Sequence, residues 1–277
     1  MTVTAAINGQ IAAEGAAFFA MKYAGALGRA LELLHVRNER DALDEVEASM
    51  DNIEGVAAEQ GVEVRRLMLE GDRMQAIRGY LEERRSDILF CGTRVRKRSR
   101  KDSFSRQVAA MRPDCDLAVV RTLHVGAALD VDRALLPIRE DRMSPEKFAF
   151  FAVLLRGYEA AGELYSITPL RVRKRSELET RQVREKLEQI DRELSHYTRL
   201  ADLAGLSLHV KHAFASDETA QILHHLHHYG YQLLVVGGRR PLFPFLGPDR
   251  SERLLEVTPV NTIFFYSRGR RSCSFSN

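Results

Sequence analysis

The sequence predicts an α/β protein made of two doubly wound domains, each with a five-stranded parallel sheet. Apolar runs and amphipathic stretches alternate along the 277 residues, as expected for strands followed by crossover helices. One transition occurs twice: the apolar runs at 88–91 and 233–236 end at Gly92 and Gly237, and basic residues follow soon after. The sequence Ala-Phe-Phe-Ala also stands twice, at 17–20 and 149–152. These repeats indicate a duplicated domain.

The first half contains five short apolar runs that predict strands, at 2–7, 31–36, 62–69, 88–91 and 117–121. Apolar residues three and four apart, or capping residues, predict helices at 12–28, 41–60, from Asp72 onward, and at 105–111. Gly61 stands where a glycine commonly ends a helix, and Asp72 is a suitable N-cap. The order of these elements is that of one doubly wound domain.

The second half restarts the pattern after residues 124–132, a stretch of small and acidic residues without periodicity. We therefore predict domains at 1–124 and 132–267, and a disordered basic, serine-rich tail at 268–277. Ser144 followed by Pro145 predicts the start of one helix, and Ser216 is the expected cap of another. A long helix is predicted at 176–204, and strands at 134–138, 163–167, 206–214, 233–236 and 262–266.

The composition is that of a soluble globular protein, with 45% apolar and 29% charged residues. A net charge of only +3 makes the basic runs local features and argues against a general coat for nucleic acids. Cys91, Cys115 and Cys273 lack the spacing of a metal site, and the first two lie in apolar runs that favour buried free thiols. With no signal peptide pattern and no transmembrane segment, the expected location is the cytoplasm.

The turn pair Asn8-Gly9 after strand one and the loop that begins at Gly92 after strand four carry a family resemblance. In these features the chain resembles the universal stress protein family in its tandem form, over residues 2–266. The resemblance implies an adenine nucleotide alpha hydrolase-like fold and a role in stress adaptation. It also implies that the fifth strands, at 117–120 and 262–265, pair within the chain and form an intramolecular pseudo-dimer. Such pairing would remove two exposed sheet edges.

The nucleotide loop of that family reads Gly-x2-Gly-x9-Gly-(Ser/Thr), because glycines allow backbone N–H groups to surround phosphate oxygens. The first half keeps Gly92-Thr93 but has Val95 at the second glycine and Ser105-Arg106 at the last pair. The family's strand-one aspartate is replaced by Asn8. A β-carbon at each lost glycine narrows the loop, so weak or no binding of ATP or AMP is expected.

The second half departs further, since Arg240 takes the second glycine position and Arg139 stands near the place of the aspartate. Arg250-Ser251 occupies the last pair, and Gly247 has a different spacing. The first half is therefore the better candidate for a nucleotide site. Taken over both halves, the resemblance gives these candidate nucleotide-binding residues: Asn8, Gly9, Val36, Gly92, Thr93, Ser105, Gly237, Gly238 and Gly247.

A basic hexapeptide, Arg-Val-Arg-Lys-Arg-Ser, occurs at 94–99 and again at 171–176. Both copies are expected after the carboxyl ends of strands, where open α/β sheets bind ligands. One interpretation is an anion site for a phosphorylated metabolite, RNA or anionic lipid, and the other is two solvated loops. No aromatic residues lie between the arginines, which argues against stacking with bases. The candidate anion-binding residues are Arg94, Arg96, Lys97, Arg98, Arg171, Arg173, Lys174 and Arg175.

Four histidines, at 224, 225, 227 and 228, form a second conspicuous cluster. They are interpreted as a polar helix face opposite Ile222, Leu223 and Leu226. A metal site is the alternative, but no acidic residue or cysteine stands beside them in that helix. The sequence also lacks a phosphate-binding P-loop, a nucleophile elbow and a His-Glu-x-x-His motif.

These observations predict a non-enzymatic stress-response protein that acts by binding and protein contact. Two alternatives stay open: an ATP- or AMP-binding protein with slow hydrolysis, and a module that binds polyanions through the twin basic loops. No cofactor is firmly implied, and no protein partner is identified by the residues. Further pairing of the chain into a homodimer is also left open.

Overall fold

The structure is a computed structural model that describes residues 2–38, 42–84, 86–94, 104–111, 113–139, 143–169, 180–237, 254 and 257–268. Its strands are β1 Val3–Ala6, β2 Leu31–Arg37, β3 Val64–Glu70, β4 Ile88–Gly92, β5 Asp116–Arg121, β6 Arg133–Arg139, β7 Ala161–Pro169, β8 Leu208–Ala215, β9 Leu233–Gly237 and β10 Asn261–Tyr266. Its helices are α1 Ile11–Ala26, α2 Leu43–Glu59, α3 Arg73–Arg84, α4 Phe104–Met111, α5 Pro145–Tyr158, α6 Thr180–Leu203 and α7 Glu218–Tyr229.

The strands described form one sheet in the order β3-β2-β1-β4-β5-β10-β9-β6-β7-β8. Neighbouring strands are parallel within each half, and only the central β5–β10 pair among them is antiparallel. Val120 lies opposite Ile263, and Ala118 lies opposite Phe265. This confirms the expected pairing of the fifth strands. Two doubly wound halves thus join edge to edge, as the predicted fold class requires.

Aromatic side chains join the two halves beneath this central pair. Phe150 of α5 stacks on Phe265 of β10, with ring centroids 4.3 Å apart. Tyr23 of α1 and Phe90 of β4 lie 5.3 Å and 6.1 Å from the Phe150 ring. Because Tyr23 and Phe90 belong to the first half, one apolar core runs across the boundary.

Most predicted helix ends are confirmed by the contacts of the capping side chains. Asp72 Oδ1 accepts from the N–H groups of Met74 and Gln75 at 3.1 and 3.0 Å, and Ser144 Oγ accepts from the Lys147 N–H at 3.2 Å. The expected cap at Ser216 is wrong. Asp217 is the N-cap of α7, because its backbone is extended and its carboxylate accepts from the Ala220 N–H at 3.1 Å.

The long helix α6 covers the outer part of the second half. Ile190, Leu194 and Tyr197 are buried, as the helical spacing predicts. Leu200, expected on the same stripe, is instead 51% exposed, and Ala201 takes the buried position beside it. In the part of the chain that the structure describes, no helix combines the length and hydrophobicity needed to cross a membrane. The predicted disordered tail lies outside the described residues from 269 onward.

Candidate functional site

The predicted nucleotide residues of the first half lie at one edge of the sheet. β2, β1 and β4 are neighbours, and their carboxyl ends bring Val36, Asn8-Gly9 and Gly92-Thr93 to that edge. Open α/β sheets bind ligands at such an edge, where the strand order reverses. The geometry therefore places these residues where a ligand would approach.

Gly92 is in close contact with the start of α1. A β-carbon at this position would lie 2.1 Å from the carbonyl oxygen of Ala12 and 2.8 Å from the Ala13 nitrogen. The next residue is also engaged, since the Thr93 N–H donates to the Val120 carbonyl at 2.8 Å. Packing of α1 against β4 thus explains the glycine without any ligand.

We expect Gly92→Ala to lower the free energy of unfolding by about 1–3 kcal/mol, because the new methyl group must displace backbone atoms. Urea denaturation followed by circular dichroism measures this. The matched control is Gly55→Ala in α2, where a β-carbon would meet nothing within 4 Å. That change is expected to raise stability by about 0.5–1 kcal/mol, since alanine is the better helix former. Equal stability of the two variants would contradict this account of Gly92.

Asn8 and Gly9 likewise serve the local fold. Asn8 Oδ1 accepts from the Gln10 N–H at 3.2 Å, just before α1 begins. Gly9 has φ +70°, and a β-carbon there would lie 3.0 Å from the Glu45 carbonyl carbon of α2. These contacts turn the chain from β1 into α1. Val36 and Ser105 are both buried, with 5% and 4% of their surfaces exposed.

In the second half, the space above Gly237 is filled by a side chain that the sequence analysis did not single out. A β-carbon at Gly237 would lie 2.3 Å from Cε of Lys147, which extends from the first turn of α5. Burial lowers the pKa of Lys147. A lysine three residues after Ser144 gives no local signal of this contact. Gly238 and Gly247 lie outside the described residues.

Of the two basic hexapeptides, only Arg94 is described, and it is exposed. The other seven candidate anion-binding residues lie outside the described residues, so the structure neither groups nor separates them. Glu140 and Asp141, the acids nearest the end of β6, are also outside. The anion site built from these loops stays a prediction.

The cysteines behave as packed core residues. Cys91 and Cys115 are buried and not joined in a disulfide, as predicted, and Cys273 lies outside the described residues. Burial raises the pKa of Cys91 to about 12, with a smaller effect from Cys115. Such a thiol stays protonated at neutral pH, so Cys91 is a poor nucleophile.

The interpretation of the histidine cluster as a polar helix face is wrong for His225. This side chain is 5% exposed and its Nε2 lies 2.5 Å from Oε1 of Glu163, a buried residue of β7. Its ring stacks on Tyr165, with centroids 3.9 Å apart. His224 and His228 do stack one turn apart, with centroids at 6.0 Å. Within the described ranges, no three histidine, cysteine or acidic side chains are arranged to hold a metal.

Glu163 is the centre of this buried cluster. Lys211 of β8 places its Nζ 3.1 Å from Oε2 of Glu163, and His225 contacts the other oxygen. Burial by itself raises the pKa of Glu163, but hydrogen bonds from His225, Tyr231 and Lys211 outweigh it, so the pKa lies below its usual range. The carboxylate is therefore ionised at neutral pH. The sequence analysis missed the pair of Glu163 and His225 because the two residues are 62 positions apart in the chain.

The first half has a matching cluster at the corresponding place. Glu32 of β2 accepts a hydrogen bond from Tyr80 of α3, whose hydroxyl also lies 2.9 Å from Thr4 Oγ1. Tyr80 and His225 are each the eighth residue of their helices, α3 and α7. Glu32 and Glu163 each lie beside the first strand of their own half, opposite Thr4 and Leu135. A ring side chain that contacts the carboxylate beside the first strand is thus found in both halves, with Glu163 buried and Glu32 half-buried.

Comparison with known proteins gives the fold. No protein-family model matches the sequence, and no curated protein matches it. A universal stress protein from Archaeoglobus fulgidus DSM 4304 is similar in structure, with a TM-score of 0.60, 15% identity, and coverage of 96% of this chain and 98% of that one.

Two further solved structures are similar over most of their length. A putative universal stress protein from Pseudomonas aeruginosa UCBPP-PA14 has a TM-score of 0.56 and 14% identity, covering 96% of this chain and 92% of that one. The cytoplasmic domain of a prokaryotic cation chloride cotransporter has a TM-score of 0.50 and 14% identity, covering 87% and 86%. The resemblance expected from Asn8-Gly9 and Gly92 is thereby confirmed for the fold: this chain has the fold of the universal stress proteins, with two units in tandem.

Proposed function

We propose that this chain is a non-enzymatic binding protein of the universal stress protein type, acting in the cytoplasm through contact with a protein partner. One observation carries the proposal: the groups that would surround a nucleotide are already used by the fold. Gly92 lies under the Ala12 carbonyl, and the Thr93 N–H is bonded to Val120. In the second half, Lys147 occupies the space above Gly237.

A role in protein contact agrees with where this fold occurs. The same fold serves as the cytoplasmic domain of a cation chloride cotransporter, where it is part of a larger protein. In the present chain the sheet ends at β3 and β8, both of which are partly exposed. Charged residues such as Arg65, Arg66 and Lys211 lie on these edges, which limits uncontrolled pairing of strands.

The second candidate is an ATP- or AMP-binding protein with slow hydrolysis. Its support is the position of Asn8, Val36 and Gly92 at the carboxyl ends of three neighbouring strands. It would use these residues together with Gly9, Thr93 and Ser105.

The test that separates the two functions is the nucleotide content of the purified protein. We expect the denatured extract to contain no adenine nucleotide, and millimolar ATP or AMP to raise the melting temperature no more than the same concentration of pyrophosphate does. The measurement is sensitive, because a ligand at a hundredfold excess over its Kd stabilises a protein by about 2.7 kcal/mol. Stoichiometric adenine nucleotide in the extract, or a rise in melting temperature with ATP or AMP that pyrophosphate does not reproduce, would establish the second candidate instead.

A further inference from the structure

A cavity of about 470 Å³ lies between the C-terminal ends of α1, α2 and α5. Crossover helices run antiparallel to the strands they connect, so this cavity lies at the amino edge of the sheet. The predicted nucleotide residues lie at the carboxyl edge, at the other end of α1. The 16 residues of α1 span about 24 Å, which makes the two places separate. Cavities of this size commonly hold small molecules.

Three cations line this cavity: Lys22 of α1, Arg29 just after α1, and Arg156 in the last turn of α5. In the described part of the chain, none of the three forms an ion pair with a carboxylate. The cavity's one acidic residue is Glu63, whose carboxylate lies 2.8 Å from Arg65 Nε in an exposed ion pair. The cavity lining therefore carries three cations against one carboxylate, and that carboxylate already has a cationic partner in Arg65.

The helix ends offset only part of this positive charge. A helix C-terminus carries roughly half a negative charge, so the three ends together offset about half of the charge of the three cations. Lys22 is also held in position, because its Nζ lies 5.4 Å from the centre of the Tyr158 ring and the Tyr158 hydroxyl donates to the Ala128 carbonyl at 2.7 Å.

Both halves of the chain contribute to the cavity lining. A β-carbon at Gly157 of α5 would lie 2.5 Å from the Lys22 carbonyl oxygen of α1, so the two helix backbones almost touch. This close approach places Arg156 of the second half on the same cavity as Lys22 and Arg29 of the first. A ligand held by all three would bridge the halves.

We infer that this cavity is a binding site for a compact soluble anion with two or more negative charges, of the phosphate ester or polyphosphate class. Guanidinium groups match phosphate oxygens with paired hydrogen bonds, and the cavity supplies two such groups and one ammonium. The site is independent of the proposed function, since it uses none of the residues at the carboxyl edge.

The test is titration calorimetry of the full chain with inorganic pyrophosphate. We expect the double variant Arg29→Gln/Arg156→Gln to bind at least tenfold more weakly than the original chain, since each charge-assisted hydrogen bond contributes about a factor of ten or more. Both arginines are exposed, so the variant is expected to fold, which its melting curve checks. The matched control is Arg184→Gln on α6, which removes one exposed cation far along the sequence and is expected to change affinity less than twofold.

Two further measurements test where the anion binds and which class of anion is preferred. Arg96→Gln/Arg98→Gln neutralises part of the first basic hexapeptide and is expected to leave pyrophosphate affinity within twofold. Citrate, a compact tricarboxylate, is expected to bind more weakly than pyrophosphate. The inference is overturned if the folded Arg29→Gln/Arg156→Gln variant binds as the original does, if the loop variant loses the binding instead, or if the original chain binds no pyrophosphate at millimolar concentration.

Discussion

Replacing Phe150 with alanine is expected to lower the free energy of unfolding by about 3–5 kcal/mol, the usual cost of removing a buried aromatic ring. Phe150 is 1% exposed and stacks on Phe265, so little of the space that it leaves can be refilled by solvent. Its ring also lies against Tyr23 and Phe90 of the other half. Because both halves lose contacts, one urea transition with a lower midpoint is expected, measured by circular dichroism.

The control for Phe150→Ala is Leu203→Ala at the end of α6. Leu203 is 86% exposed, so its truncation is expected to change stability by less than about 0.5 kcal/mol. A loss below about 1 kcal/mol for Phe150→Ala would contradict a shared core. Two separate transitions in the original chain would contradict it as well, because they would show that the halves unfold independently.

Glu163→Gln is expected to lower the free energy of unfolding by about 3 kcal/mol at neutral pH. The change removes the carboxylate that pairs with His225 and Lys211, and breaking a buried ion pair from one side leaves its partners without compensation. Lys211 is 39% exposed and is partly solvated, which keeps the expected loss at the lower end of the range for such pairs. Urea denaturation of both proteins measures the difference.

The difference between Glu163→Gln and the original chain should depend on pH. The folded protein holds the pKa of Glu163 below its usual range, so the stabilisation is fully present above the unfolded pKa of about 4.3. It is lost as pH falls through the lower folded pKa, and the two proteins are then expected to converge. The control, Glu188→Gln, removes an exposed partner of Arg184 and is expected to cost less than about 0.5 kcal/mol. A difference in the free energy of unfolding between the original chain and Glu163→Gln that grows as the pH falls would contradict the role given to Glu163.

Local patterns were sufficient for the elements of each half, and the pairing of the fifth strands came from the family resemblance. The apolar runs that end at Gly92 and Gly237 correctly predict β4 and β9, and Asp72 and Ser144 correctly predict two helix starts. Each of these signals depends on neighbours within a few residues. The misplaced cap at Ser216 shows that such signals place a helix start only to within about one residue. Ser216 and Asp217 are both good caps, and only backbone geometry selects Asp217.

The candidate site could be predicted only as a position along the sheet. Asn8, Val36 and Gly92 meet at one edge because parallel strands must align their carboxyl ends. The contact of Gly92 with Ala12 was not predictable from the sequence. A close helix backbone and a bound phosphate can each require a glycine, so the residue type does not distinguish the two.

The sequence alone determined that this protein consists of two similar α/β halves, because alternation, spacing and capping are properties of short segments and recur in both. Only the tertiary structure decided what fills the space between those segments. Lys147 lies over Gly237, His225 is paired with Glu163, and Gly157 packs against the Lys22 carbonyl. Each of these contacts joins residues far apart in the chain, and its energy depends on distances that no local pattern contains.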